Sequence, residues 1–324
     1  MLRDRFNRTI DYMRVSVTDR CNLRCGYCVP GAPAPVPEDE VLSFEEIAFI
    51  CAQAASLGIT RFRLTGGEPL AREGCPELVA MLKAIPGVEQ LALTTNGVML
   101  KPQLDALFDA GLDAVNISLD SVDREQYAAI TGVDALDRVL NAIDAAANRL
   151  PVKLNCVVQR GVNEDAPPAL ALLAKDRPVD VRFIELMPIG GGRALKTVPN
   201  EEVLSGLEAR FGISVPDGRS HGNGPAVYRR LPGFMGSVGF ISAVHDPFCQ
   251  SCNRLRLLPT GELKPCLCYG DTIPLRDILR DGAPDKAGRI REKLRQAVQA
   301  KPRAHCFDSP DAVTERREMV RIRG

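Results

Sequence analysis

The fold is decided by residues 16–28, which read SVTDRCNLRCGYC and overlap the end of the β-like run MRVSV. Cys21, Cys25 and Cys28, here called the first trio, have the spacing CxxxCxxC. A cubane iron-sulfur cluster has four irons and normally takes four thiolates. Three thiolates therefore leave one iron open to a reactant, as catalytic zinc keeps a position that structural zinc lacks. On spacing alone, unrelated or zinc-binding cysteines are the alternative.

The composition is that of a globular chain of 324 residues, with 45% hydrophobic and 25% charged residues. Because 41 basic residues balance 41 acidic ones, no overall field favours nucleic acid or an anionic membrane. No apolar stretch is long enough to span a bilayer, and the first residues lack the apolar middle of a signal peptide. Eleven cysteines then favour metal or redox chemistry over disulfides. We expect a cytoplasmic protein that binds neither nucleic acid nor membrane.

Six short β-like runs recur along the chain, most of them followed by a helical pattern: MRVSV, RFRLT, LALTT, AVNISL, VKLNCVV and VRFIELM. Ser43 and Glu46 form a capping-box signature for a helix that ends near Gly58. The alternation predicts an α/β fold built as an incomplete (βα)6 barrel of the TIM type. Reactive groups in such a barrel collect at the carboxyl ends of the strands.

The alternation stops after VRFIELM, where a further helix is predicted over NEEVLSGLEARFG. A hairpin is predicted from two β-like runs, Val227 to Leu231 and Ser237 to Ser242. We place a boundary near residue 200. It separates a partial barrel over residues 1–200 from a C-terminal α+β extension over residues 201–324.

Glycines and basic residues mark the predicted strands as parts of a site. Gly66 and Gly67 in RLTGGEP allow a close backbone approach that side chains would obstruct, so backbone groups there can meet a small ligand. Five basic residues stand in strands or strand-like runs that are otherwise largely apolar: Arg14, Arg63, Lys153, Arg254 and Arg256. A buried charge needs a partner or an anionic ligand. Several converging on one cavity suit a phosphate-rich substrate, each charged hydrogen bond contributing about 1.5–3 kcal/mol. No GxxxxGK[ST] phosphate loop occurs.

A second group of cysteines lies in DPFCQSCNRLRLLPTGELKPCLC at residues 246–268. Cys249, Cys252 and Cys266, here called the second trio, form a CxxC pair followed by a third cysteine, and Cys268 comes two positions later. Without context, four cysteines at this spacing indicate a closed zinc site.

The first trio and the predicted barrel resemble the radical S-adenosylmethionine enzymes. In that superfamily the amino and carboxylate groups of S-adenosyl-L-methionine bind the open iron of a [4Fe-4S] cluster. An electron from the cluster then cleaves the sulfonium to a 5′-deoxyadenosyl radical. The resemblance implies contacts of this cofactor with Tyr27, Gly67, Ser118 and Met187.

From about Met13 onward the chain resembles the GTP 3′,8-cyclases, which begin molybdenum cofactor biosynthesis. The resemblance is carried by SVTDRCN, RLTGGEPL, TTNG, NISLD, RFIELMP and GFISAVHDPFCQSCNRLRL. It implies that the second trio in the extension holds a second [4Fe-4S] cluster, also with an open iron, at which the substrate purine binds. The positions that match GTP contacts are Arg14, Arg63, Thr94, Lys153, Arg254 and Arg256. Arg254 and Arg256 could also act catalytically by supplying charge or a proton.

The resemblance implies a lyase-type reaction. Hydrogen abstraction from C3′ of GTP gives a radical that attacks C8 of guanine, and reduction gives (8S)-3′,8-cyclo-7,8-dihydroguanosine 5′-triphosphate. The implied partners are GTP, a reduced electron donor and, downstream, cyclic pyranopterin monophosphate synthase. A homodimer is one assembly that the resemblance allows.

Two positions depart from this pattern. The family's chains usually end in two glycines that enter the active site, whereas Arg323 precedes Gly324 here. An L-residue at a left-handed position loses about 1–2 kcal/mol, so we expect Arg323 to be unfavourable if the tail enters the cavity. Cys268 would close the open iron of the second cluster, so we expect it to be a bystander.

Two other functions remain open on the sequence. The chain could be a radical S-adenosylmethionine enzyme with another substrate, such as a peptide, although its basic residues disfavour this. It could also be a non-catalytic metal-binding protein that holds zinc at the second trio and Cys268.

Overall fold

The computed structural model describes residues 1–29, 31 and 34–323. Its strands, numbered along the chain, are β1 Leu2–Arg3, β2 Thr9–Ile10, β3 Tyr12–Ser16, β4 Arg61–Thr65, β5 Gln90–Thr95, β6 Ala114–Ser118, β7 Val152–Val158, β8 Val179–Glu185, β9 Val215–Pro216, β10 Val227–Arg230, β11 Val238–Ile241, β12 Arg254–Leu257, β13 Glu262–Lys264 and β14 Ile273–Pro274. Its α-helices are α1 Phe44–Ser56, α2 Cys75–Lys83, α3 Leu100–Asp109, α4 Arg124–Thr131, α5 Leu136–Ala147, α6 Pro167–Ala171, α7 Asn200–Phe211, α8 Arg276–Arg280, α9 Lys286–Gln299 and α10 Met319–Ile322. None of the helices in these ranges is long and apolar enough to span a bilayer.

Twelve of these strands form one sheet, in the order β14, β13, β12, β3, β4, β5, β6, β7, β8, β11, β10, β9. The central run from β12 to β11 is parallel throughout. Strands β3 to β8 are the six predicted from the sequence, and they lie side by side in chain order. Strands from the later part of the chain continue the sheet at both edges. The predicted α/β class is confirmed.

Local sequence signals account for most of the elements. Strands β4 and β7 coincide with RFRLT and VKLNCVV. Ser43 and Glu46 cap α1 reciprocally, because the Ser43 amide donates to Glu46 Oε2 at 2.8 Å and the Glu46 amide donates to Ser43 Oγ at 3.2 Å. Strands β10 and β11 pair antiparallel, which confirms the predicted hairpin.

Side chains along the parallel strands alternate between an apolar and a polar face. On β3, Met13 and Val15 are buried in the core cluster that also contains residues of α1 and α2. Arg14, between them in the chain, faces the other way, since successive side chains of a strand point to opposite faces. The polar face therefore collects charged side chains from neighbouring strands.

Residues 310–323, here called the tail segment, return to this polar face. Val313 and Ile322 pack in a second apolar cluster with Ile189, Leu258 and Phe307. Glu315 fixes the segment, because its carboxylate pairs with the fully buried Lys264 and also accepts from Arg317 at 2.9 Å. Burial would raise the pKa of Glu315, but the hydrogen bonds from Arg317 and Lys264 lower it to about 2.

We predict that Glu315→Gln lowers the free energy of unfolding by about 3–5 kcal/mol, because it leaves the Lys264 ammonium buried without its carboxylate. Urea denaturation of matched preparations measures the effect. Glu292→Gln is the control, since Glu292 forms an exposed pair with Arg295 at 3.6 Å. Its loss is expected to cost less than about 1 kcal/mol. Equal shifts in the two variants would contradict the structural role of Glu315.

Candidate functional site

The loop that carries the first trio is held against the end of β4 by backbone contacts. The Gly67 amide donates to Thr18 O and the Glu68 amide donates to Arg20 O, both at 2.8 Å. A Cβ on Gly67 would lie 2.3 Å from Arg20 O, so only glycine permits this approach. The close approach expected at Gly67 therefore joins the trio loop to the end of β4. The Gly67 amide, which the sequence suggested could meet a ligand, donates instead to Thr18 O.

Glu68 is an organising residue that sequence reasoning did not single out. Its buried carboxylate accepts hydrogen bonds from Thr95 Oγ1 and the Asn96 amide, both at 2.7 Å. It also accepts from the Leu70 amide at 3.1 Å. Burial raises the pKa of Glu68, and these donors oppose that change. Glu68 thus ties the end of β5 to the end of β4, beside the trio loop.

The three cysteines of the first trio line one small cavity. The predicted cofactor residues Tyr27, Gly67 and Ser118 line it too. Burial raises the pKa of all three thiols. A bound metal centre would offset this, because thiolates beside a metal are stabilised by its charge. The donor set therefore fits an iron-sulfur cluster with three protein ligands.

Tyr27 is oriented by a buried carboxylate that sequence reasoning missed. Its hydroxyl donates to Asp120 Oδ2 at 2.8 Å, and the Val157 amide donates to Asp120 Oδ1 at 2.8 Å. Burial raises the pKa of Asp120 to about 6. Asp120 is the last residue of the motif NISLD, which was the sequence signal that could have identified it.

A larger cavity of about 210 Å³ adjoins the first. All three cysteines of the second trio line it. So do most of the residues predicted for substrate and cofactor: Arg14, Tyr27, Thr94, Ser118, Met187, Arg254 and Arg256. Tyr27, Ser118, Asp120 and Arg323 line both cavities, so the two trios face one connected site.

Three arginines lie side by side on the polar face of the sheet. Arg14 on β3 is in register with Arg63 on β4 and with Arg256 on β12. Burial and the neighbouring Arg256 lower the pKa of Arg14, which reports mutual repulsion. Arg63 Nε and, on β5, Thr94 Oγ1 are buried without a hydrogen-bond partner among the described residues. Such groups fit an anionic ligand better than an empty interior.

Lys153 and Arg182 extend this set of cations across the polar face. Lys153 Nζ donates to the His221 carbonyl, and Arg182 Nε donates to Asn155 Oδ1 at 2.8 Å. Burial, with Arg182 and Arg63 nearby, lowers the pKa of Lys153 to about 8. Arg63 and Lys153 are outside the lining of both cavities, although they share this face with Arg14. Sequence reasoning missed Arg182, although it stands in a predicted strand as Arg63 and Lys153 do.

The tail segment enters the site. The Arg323 carbonyl accepts from Arg14 Nε at 2.9 Å and from Arg256 Nη1 at 3.0 Å. Arg323 has φ −61°, an ordinary right-handed conformation. The expectation of a strained L-residue at this position is therefore wrong. Gly324 lies outside the described residues.

Comparisons with known proteins agree with this geometry. The family model described as "Radical SAM superfamily" matches residues 15–174, and the model "Molybdenum Cofactor Synthesis C" matches residues 179–307. A GTP 3′,8-cyclase of Pelotomaculum thermopropionicum is 44% identical over 100% of both chains. The chain belongs to the GTP 3′,8-cyclase family.

Other members of the GTP 3′,8-cyclase family match over most of their length. The enzyme of Heliobacterium modesticaldum is 49% identical over 93% of this chain and 94% of its own. The mitochondrial enzyme of Arabidopsis thaliana is 40% identical over 100% of this chain and 84% of its own. Among solved structures, Streptococcus suis SuiB bound to S-adenosylmethionine aligns with a TM-score of 0.62 at 15% identity. That alignment covers 87% of this chain and 68% of SuiB, and it supports the fold alone.

The second trio has a cationic setting within this family fold. Lys301 Nζ donates to Arg254 O at 2.6 Å and to Pro265 O at 3.0 Å, and it lies 3.9 Å from Cys252 Sγ. Burial raises the pKa of Cys252, but Lys301 and Arg254 outweigh it and lower the pKa. Sequence reasoning missed Lys301, which joins the start of β12 at Arg254 to Pro265, the neighbour of Cys266.

No three or more His, Cys, Asp or Glu side chains within residues 1–29, 31 and 34–323 are placed to hold a metal ion. That arrangement is the one required when several side chains bind a single metal ion. In an iron-sulfur cluster each thiolate binds its own iron atom, which spreads the ligands further apart.

Cys268 faces away from the large cavity. Its Sγ is 3.2 Å from Cys306 Sγ, and the residue is fully buried in the apolar cluster of the tail segment. The cysteines of the second trio line the cavity, whereas Cys268 does not. This placement supports the expectation that Cys268 is a bystander.

We predict that Cys268→Ala keeps the iron and sulfide content of the anaerobically reconstituted parent chain, because Cys268 is directed at Cys306. Cys252→Ala is the matched comparison and should lose the iron held by the second trio, about four atoms per chain. Iron and sulfide analysis measures both variants. An equal loss in Cys268→Ala would make Cys268 a ligand.

Proposed function

We propose that this chain is a radical S-adenosylmethionine GTP 3′,8-cyclase that catalyses the first step of molybdenum cofactor biosynthesis. The observation that carries the proposal is one connected site lined by two cysteine trios and by Arg14, Arg254 and Arg256. The peptide alternative has no corresponding support, because this cluster of cations suits a polyanion. We also propose that the parallel strands curve into the incomplete barrel, with the extension beginning near residue 200.

In this proposal the first trio holds a [4Fe-4S] cluster with one iron open for S-adenosylmethionine. When bound, this pair supplies the radical that abstracts hydrogen from C3′ of GTP. Tyr27, Gly67, Ser118 and Met187 surround the cofactor, and Asp120 orients the Tyr27 hydroxyl. The backbone contacts of Gly67 and Glu68 fix the trio loop before the cofactor binds.

The second trio is proposed to hold the second [4Fe-4S] cluster, and the guanine base lies next to it. The cations of the polar face then hold the triphosphate. Arg14, Arg63, Lys153, Arg182 and Arg254 have no carboxylate partner within 4.0 Å among the described residues, and an anion would relieve their mutual repulsion. Arg256 and Arg254 lie near enough to the second trio to supply charge or a proton there.

The chain orients the substrate and limits the access of water, while the cofactors supply the radical chemistry. Over the whole reaction, GTP loses one hydrogen atom from C3′, and the cyclised base gains one proton and one electron. The product is therefore an isomer of GTP. A reduced electron donor and a downstream cyclic pyranopterin monophosphate synthase complete the proposed partners.

The direct test is anaerobic reconstitution with iron and sulfide, then incubation with S-adenosylmethionine, dithionite and GTP deuterated at C3′. We predict that the label moves to 5′-deoxyadenosine and that the product loses one deuterium. ATP, CTP and UTP should give no such transfer, and Cys28→Ser should abolish it. Cleavage of S-adenosylmethionine that is equal for all nucleotides would overturn the proposal.

Lys153 gives a prediction for pH dependence. Its pKa is about 8 in the free site, and a bound triphosphate raises it because opposite charges favour the protonated form. Binding therefore takes up a proton above this pH. The affinity for GTP should fall by up to tenfold per unit as pH rises above about 8.

The control is Lys153→Arg, which stays protonated and should show a much flatter profile between pH 7.5 and 9. Equilibrium dialysis at constant ionic strength measures both proteins. The same slope in Lys153→Arg would mean that another group titrates.

A further inference from the structure

We propose that Arg323 is the counter-cation of the iron-sulfur cluster at the first trio and raises the reduction potential of that cluster. This inference rests on the proposed function, in which the trio holds the cluster. It gives a role to the residue that departs most clearly from the family's usual ending.

The position of Arg323 is the first argument. It lines the small cavity with all three cysteines of the first trio, and among the described residues that line this cavity it is the one cation. Asp120 lines the same cavity, and the buried Glu68 lies beside it. Thiols and carboxylates thus surround a single guanidinium.

The backbone that carries Arg323 is held in place by contacts on both sides. The Val320 amide donates to the Cys28 carbonyl at 3.4 Å, which joins the tail segment to the trio loop. Val320 and Ile322 are buried. Arg14 and Arg256 both donate to the Arg323 carbonyl. The tail segment is therefore bonded to the trio loop at Val320 and to the cations of the polar face at the Arg323 carbonyl.

The consequence concerns the electron that the cluster accepts. Reduction adds one negative charge to a centre that already has three thiolate ligands. A cation beside the cluster stabilises the reduced form more than the oxidised form, so the potential rises. Net charge and hydrogen bonding are among the main protein controls of cluster potential.

The test is an EPR-monitored redox titration of the fully loaded chain. Arg323→Gln keeps a polar side chain and removes the charge, and we expect the equilibrium constant for reduction to fall about tenfold, a shift of about 59 mV to lower potential. Arg323→Lys should restore most of the parent value. The signal of the first trio is the one that Cys28→Ser abolishes.

Arg316→Gln is the matched control, since Arg316 is an exposed arginine of the same tail segment. Its potential should equal that of the parent. An unchanged potential in Arg323→Gln, or the same fall in Arg316→Gln or Arg323→Lys, would overturn the inference. Failure of the proposed function is a separate result, because it would appear as S-adenosylmethionine cleavage that is equal for all nucleotides, while the potential of the first-trio cluster could still be measured in every variant.

Discussion

Repulsion between like charges on the polar face of the sheet is the constraint on which the site depends. Parallel register sets Arg256, Arg14 and Arg63 next to one another on three adjacent strands. Like charges directly opposite across strands are destabilising. The apolar opposite face, with Met13 and Val15 packed in the core, holds the strands in this register. The fold therefore keeps the arginines together in the absence of an anion, at some cost in stability.

Charge is divided between the two sides of the site. Cations collect on the strands around Arg14, whereas thiols and carboxylates collect around the first trio. The tail segment lies between these two regions, and Arg323 presents a group of opposite charge to each of them. Its Arg323 carbonyl accepts from Arg14 and Arg256, and its guanidinium lines the cavity of the cysteines. One residue thus places the negative end of a peptide group on one side and a full positive charge on the other.

Much of this arrangement follows from local sequence signals. Six recurring β-like runs predict β3 to β8, and the cysteine spacings predict both trios. Contacts between distant segments have no such signal. Strand β11 joins β8 and β12 joins β3 as parallel neighbours, which neither run's composition indicates. Arg182, Lys301 and Glu68 were missed because their roles depend on which buried groups surround them. The conformation of Arg323 was predicted wrongly because a family pattern of glycines does not fix the φ of the residue that replaces one.

The continuation of the sheet by β12 has a consequence for the order in which the molecule forms. The cysteines of the first trio are synthesised well before β12 and the tail segment, which complete their site. Joining segments so far apart is entropically costly and slows folding. During synthesis on the ribosome, the trio loop therefore exists for most of the time without the walls that later enclose it.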